Sequence, residues 1–186
     1  MNLHLSSPSP LNATYSNDAG QVIYKVDTPL KLGREITTIK RVIPNDIADS
    51  ENDEVDMRDR FGFLGQIEHK AIASSVIKFG GAEIETKDYF RKEGWGSYGR
   101  HRVFTGPDDR EYKWILGSWA SKLVLNDGKK TPIARFRQKS YGIFGRAHSA
   151  RLEIEPAGEG IMDTILITFV YIEKTRKDRE DGMTYS

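Results

Sequence analysis

This sequence predicts a mainly β fold, an antiparallel β-barrel of about twelve strands enclosing a C-terminal hydrophobic helix. Two observations carry that expectation. Short alternating segments separated by turn signals recur from residue 12 to residue 155. After them comes the segment 161–172, in which Ile165, Leu166, Ile167, Phe169, Val170, Tyr171 and Ile172 leave no polar face at a helical or a strand period. A segment apolar all round has to be surrounded on every side. A closed sheet offers an apolar interior in all directions, so each observation accounts for the other.

The elements follow in chain order. Residues 1–10, with Ser6, Ser7, Pro8, Ser9 and Pro10, read as an extended lead-in to a single domain over 11–178. Strands 12–16 and 21–27 flank a turn in which Gly20 can take positive φ. The next strand, 34–43, is stopped by Pro44. Residues 45–59 are acidic and lack periodicity, so they read as a loop. Strands at 60–71 and 75–79 lead to a Gly80-Gly81 turn and a strand at 82–86, after which 88–99 is aromatic, Gly-rich and irregular. A meander comes next: strands 100–105 and 110–116 around the 106–109 turn, then 122–125 and 131–137 around Asn126, Asp127 and Gly128. Tyr112, Trp114 and Leu116 share one face; Ile133, Arg135 and Arg137 share a face opposite to Pro132, Ala134 and Phe136. The last strand, 151–155, points Leu152 and Ile154 inward.

For 161–172 the β-branched content favours a strand. The opposite-charge pairs Glu173/Lys177, Lys174/Asp178 and Arg176/Glu180 at i,i+4 favour a helix and decide for one near 162–177, capped by Asp163 or Thr164, with a tail at 179–186. Its apolar part is about half of the ~20 residues a bilayer span needs, so it belongs to a core.

Net charge is +1, which gives no general attraction to nucleic acid, and none is expected as a partner. The distribution is uneven: 44–88 carries 5 basic and 11 acidic side chains, and 91–151 carries 14 basic and 5 acidic. The chain has no cysteine, which excludes disulfides and thiolate chemistry. Residues 1–5 lack the basic start and apolar run of a signal peptide, so a cytoplasmic location is the expectation, with peripheral membrane attachment as an extension.

No cofactor or metal is expected. His4, His69, His101 and His148 show no ligand spacing. Gly94, Gly96 and Gly99 match G-x-G-x-x-G, but a strand follows where a dinucleotide site needs a helix, so 94–99 reads as an aromatic rim loop. The candidate ligand-binding residues are the cations Arg100, Arg102, Lys113, Lys129, Lys130, Arg135, Arg137, Lys139 and Arg146, with Trp95 and Tyr98 from the rim loop. Guanidinium forks hold phosphate bidentately, and Lys adds a mobile point charge. Residues 141–145 (Tyr-Gly-Ile-Phe-Gly), between Lys139 and Arg146, have the make-up of a membrane-surface loop.

The runs GQVIYKVDTP at 20–29, RVFTGPDDREYKW at 102–114, KLVLNDG at 122–128 and ILITFVYIEK at 165–174 resemble an uncharacterised family of mushroom-forming fungi, over nearly the whole chain. That resemblance implies no activity. Strands ending in an apolar C-terminal helix look, more remotely, like the tubby-like superfamily of tubby C-terminal domains, LURP-one-related proteins and phospholipid scramblases. This second resemblance implies a twelve-stranded barrel and, in some members, binding of lipid headgroups. No phosphoinositide motif transfers residue by residue. The function expected is therefore a non-enzymatic module that binds anionic ligands, phospholipid headgroups at a membrane surface foremost. The alternatives are a small-molecule binder or enzyme using the 94–99 loop, and a protein-interaction module using 45–59.

Overall fold

The computed structural model describes residues 1–31, 34–43, 60–70, 73–118, 120–140 and 148–184. Fourteen strands occur among them: β1 Asn2–Leu5, β2 Ala13–Ser16, β3 Val22–Asp27, β4 Leu30–Lys31, β5 Arg34–Ile43, β6 Arg60–His69, β7 Val76–Phe79, β8 Ala82–Glu85, β9 Arg91–Gly96, β10 Gly99–Thr105, β11 Glu111–Leu116, β12 Ser121–Leu125, β13 Pro132–Arg137 and β14 Arg151–Ile154. The one-turn helix α1, Thr86–Tyr89, joins β8 to β9, and a 3-10 turn at Pro156–Ile161 runs into the long helix α2, Met162–Thr184.

All the strands belong to one sheet, in the order β8-β7-β6-β5-β3-β2-β1-β14-β13-β12-β11-β10-β9, with β4 paired to β5 off that path. Every pairing is antiparallel. The expected ring is not closed by hydrogen bonds, since β8 and β9, at the two ends of the path, do not pair among the described residues. The 1–10 lead-in is not peripheral: β1 lies between β2 and β14, with Leu3 fully buried. The 88–99 region also carries more order than its composition suggests, because β9 pairs with β10. The loops expected at 45–59 and at 141–145 lie outside the described residues.

Side-chain alternation holds where pairing is regular. Tyr112, Trp114 and Leu116 are fully buried, as are Leu152 and, across from it, Phe136 at 1 %. At β13 the alternation breaks. The register between β12 and β13 slips at Leu123/Val124, so Ile133, Ala134 and Phe136 are all buried, while Arg135 and Arg137 stay on the outer face. A bulge puts two consecutive residues opposite one, which defeats period-2 reading.

The core sits around α2. Ile165, Leu166, Ile167, Thr168, Phe169 and Val170 are each at most 1 % exposed. At 100° per residue, six consecutive positions sweep the whole circumference, so this stretch has no solvent face. Phe169 packs between Trp114 and Phe136, with ring centroids at 5.9 and 5.0 Å. From the other side of the sheet, Gly65 of β6 comes so close that a Cβ there would lie 3.0 Å from Ile167 Cδ1. Phe90, just after α1, stacks on Tyr171 at 5.0 Å.

Polar ties set the position of the helix along its axis. Trp114 Nε1 donates to Thr168 Oγ1 at 3.0 Å, and Tyr24 Oη and Arg41 Nη1 donate to Asp163 at 2.7 and 2.6 Å. Asp163 is therefore a long-range anchor and not the expected cap, because the 3-10 turn supplies the preceding backbone and leaves no free first turn. Helix α2 extends beyond the expected end near 177 to Thr184, carried on by the ion pairs Lys174–Asp178 and Arg176–Glu180. Glu173 turns instead to Arg176 and Ser121. Among the described residues no helix is long and apolar enough to cross a membrane.

Candidate functional site

Strands β12, β13 and β14 bring four cations around one carboxylate on the outer face. Glu153 stands opposite Arg135, Arg137 stands opposite Arg151, and Lys122 stands opposite Arg135 on the other side. Residues directly opposite each other in antiparallel strands have Cβ atoms about 4.5–5.5 Å apart, so the five side chains form one cluster. Arg137 Nε donates to Glu153 Oε2 at 3.0 Å, and Arg151 Nε donates to Oε1 at 2.9 Å, with its Nη2 in ion-pair contact at 2.8 Å. Burial opposes ionisation of Glu153, but the hydrogen bonds from Arg137 and Arg151 outweigh it and hold the carboxyl below its usual range. Each oxygen thereby has a guanidinium partner, and Arg135 is bonded to neither. Its Nε is buried without a hydrogen-bond partner, the single such side-chain atom among the described residues. A buried N–H without an acceptor costs roughly 1–3 kcal/mol, more at a charged group.

The other expected cations scatter. Lys113 is held by Glu93 at 3.1 Å, within an outer-face ladder that also pairs Arg91 with Glu111. Arg102 pairs with Trp114 across β10–β11, which places it on the inner face at 4 % exposure, with its Nη1 donating to the Arg100 carbonyl. Arg100 in turn donates to the Lys92 carbonyl at 2.7 Å. Lys129 and Lys130 sit in the β12–β13 turn, where Lys130 and not Gly128 takes the positive φ, at 53°. Lys139 lies past the end of β13, and Arg146 lies outside the described residues.

The rim-loop residues diverge too. Trp95 is 79 % exposed, whereas Tyr98 lies under the Arg176 guanidinium, 5.5 Å from ring centroid to Cζ. Gly99, at φ 97°, leaves room for Arg179, whose Nη1 donates to the Tyr98 carbonyl at 3.0 Å and would overlap any Cβ at that position.

Of the expected cations among the described residues, then, Arg135 and Arg137 are the two that join this cluster. Lys122, Arg151 and Glu153 complete the cluster and were not among the candidates. The signal for them was the alternation of 151–154: with Leu152 and Ile154 inward, Arg151 and Glu153 have to face out beside Arg137.

Residues 8–178 match the model of a family described as a family of unknown function (DUF6593). No curated protein and no solved structure matches the chain.

Proposed function

For this chain, which belongs to the family of unknown function DUF6593, we propose a non-enzymatic module that binds phosphate-bearing anionic ligands, with phospholipid headgroups at the membrane surface as the source. The carrying observation is the β12–β14 cluster, four cations to one carboxylate, with the buried Arg135 Nε–H unanswered. Two guanidinium groups two residues apart on one strand, with a third across from them, suit the several oxygens of a phosphate. Attachment is peripheral, at the cytoplasmic face, where each cation near an anionic surface contributes roughly 1 kcal/mol.

The same reading takes the sheet as a barrel of twelve staves around α2. Parity supports it. Thirteen strands in an all-antiparallel row make β8 and β9 run in the same direction. Parallel neighbours need a crossover of a dozen or more residues, and only 86–90 lie between these two. Strands β8 and β9 therefore form one stave interrupted by α1, paired below to β7 and above to β10. This is the architecture that the tubby-like resemblance implies.

The test is co-sedimentation at low salt with phosphatidylcholine vesicles, with and without phosphatidylserine. The protein is expected to sediment with the anionic vesicles only and to be released by salt. The double variant Arg135→Gln/Arg137→Gln is expected to weaken binding by about 2 kcal/mol, or about 30-fold. Glu153→Gln removes the competing carboxylate and is expected to strengthen it. Equal sedimentation with both vesicle types ends the membrane reading, and binding of soluble inositol hexakisphosphate without vesicle binding would transfer the site to free phosphates.

A further inference from the structure

Helix α2 runs on past the sheet, and the chain between β1 and β2 crosses beside it. Between them lies a groove of about 390 Å³, a size typical of small-molecule sites. Pro10, Leu11 and Phe136 give it an apolar wall. Glu173 and Arg176 also line it, both more than nine-tenths buried.

These two groups are bonded but not saturated. Glu173 accepts from Ser121 Oγ at 2.5 Å and from Arg176 Nε at 3.1 Å, two bonds to a carboxylate that can accept about four. Arg176 donates to Glu173 and, through Nη1 at 3.1 Å, to Glu180, two bonds from a guanidinium that carries five N–H groups. The groove thus presents an acceptor and a donor fork side by side. Its charges balance: Lys139, Arg176 and Lys177 against Glu173, Glu180 and Asp181.

We propose that this groove binds a small amphipathic zwitterion, a hydrophobic amino acid or dipeptide, with the carboxylate toward Arg176 and Lys177, the ammonium toward Glu173 and Glu180, and the apolar side chain against Leu11 and Phe136. A simple anion would meet three carboxylates and a simple cation three basic groups. A molecule carrying both charges is matched at both ends, and desolvation on binding strengthens each charge-assisted bond. The site is separate from the outer cluster, since Phe136 faces inward between Arg135 and Arg137, which face out.

Isothermal titration of the full chain with phenylalanyl-leucine, its N-acetyl form and its C-terminal amide tests the proposal. Saturable binding is expected for the free dipeptide, with a loss of about 10–100-fold when either charge is blocked. Gln138 is exposed and lines the groove, so Gln138→Trp obstructs it with the core intact and is expected to weaken binding at least tenfold. Lys177→Glu, at the rim, is expected to weaken the free dipeptide and spare the amide. The Arg135→Gln/Arg137→Gln protein is expected to bind the dipeptide unchanged, which separates this site from the membrane reading. No saturable heat with the free dipeptide, equal affinity for the blocked forms, or full affinity in folded Gln138→Trp would each overturn the proposal.

Discussion

Phe169→Ala is expected to destabilise the protein by about 3–5 kcal/mol, read from urea unfolding. Phe169 is fully buried in the first half of α2, with Trp114 and Phe136 against its ring. Truncation removes both contacts and opens a hole that the sheet is poorly placed to collapse into, because its strands are held in register by their neighbours. Phe169→Leu keeps most of the volume and is expected to cost under about 1.5 kcal/mol. Phe63→Ala, at a phenylalanine that is 65 % exposed, is expected to stay within about 0.5 kcal/mol of the parent. A loss under about 1 kcal/mol for Phe169→Ala would mean that α2 is not packed as described.

Arg176→Met is expected to cost about 3–5 kcal/mol at neutral pH, because it leaves the Glu173 carboxylate buried without its ion partner. The loss depends on pH with a definite sign. Burial already raises the Glu173 pKa above its usual value of 4.5, against the opposing pull of Arg176 and Ser121. A carboxyl with a raised folded pKa favours the fold while it is protonated, and that contribution is lost as pH rises through the folded value. Without Arg176 the folded pKa climbs further. The gap between variant and parent is therefore smallest near pH 4 and widens toward pH 8. Adding Glu173→Leu to Arg176→Met removes the stranded charge and is expected to recover most of the loss. A gap independent of pH would show that the pair is not a buried ionic contact.

His69 works in the opposite sense. Burial holds its pKa down at about 4, and its Nε2 lies 2.9 Å from Thr37 Oγ1, which in turn meets Thr28. A histidine kept neutral in the fold contributes stability above its ordinary pKa of 6.5, and loses it as pH falls from there toward 4.

What the sequence showed best was what packing alone determines. The run 165–172 had no polar face at any period, and over 165–170 the helix has no exposed side. The inward sets Tyr112/Trp114/Leu116 and Leu152/Ile154 followed from alternation on strands that pair without a slip. The ion pairs Lys174–Asp178 and Arg176–Glu180 formed at the expected i,i+4 spacing. Failures arose where pairing between distant segments decided the outcome. Asn2–Leu5 looked like a lead-in because four residues carry almost no local signal, and only pairing with β14, some 150 residues away, makes them a strand. Arg102 was grouped with the candidate ligand-binding cations because face assignment on a short strand needs the partner's register, which sets it opposite Trp114. The orphaned Arg135 Nε arises from how Glu153 divides its two oxygens, a detail no spacing encodes.

The central claim, that residues 165–168 of α2 are buried on every side, can be tested through the absence of cysteine from the chain. Ile165→Cys, Leu166→Cys, Ile167→Cys and Thr168→Cys, made one at a time, place a thiol on four consecutive helix positions at 100° steps, covering every side of the cylinder. With a thiol reagent under native conditions, all four are predicted to label no faster than the protein unfolds globally. Rapid native-state labelling at any one of them would mean that the helix has an open face, and the account of the fold would be wrong.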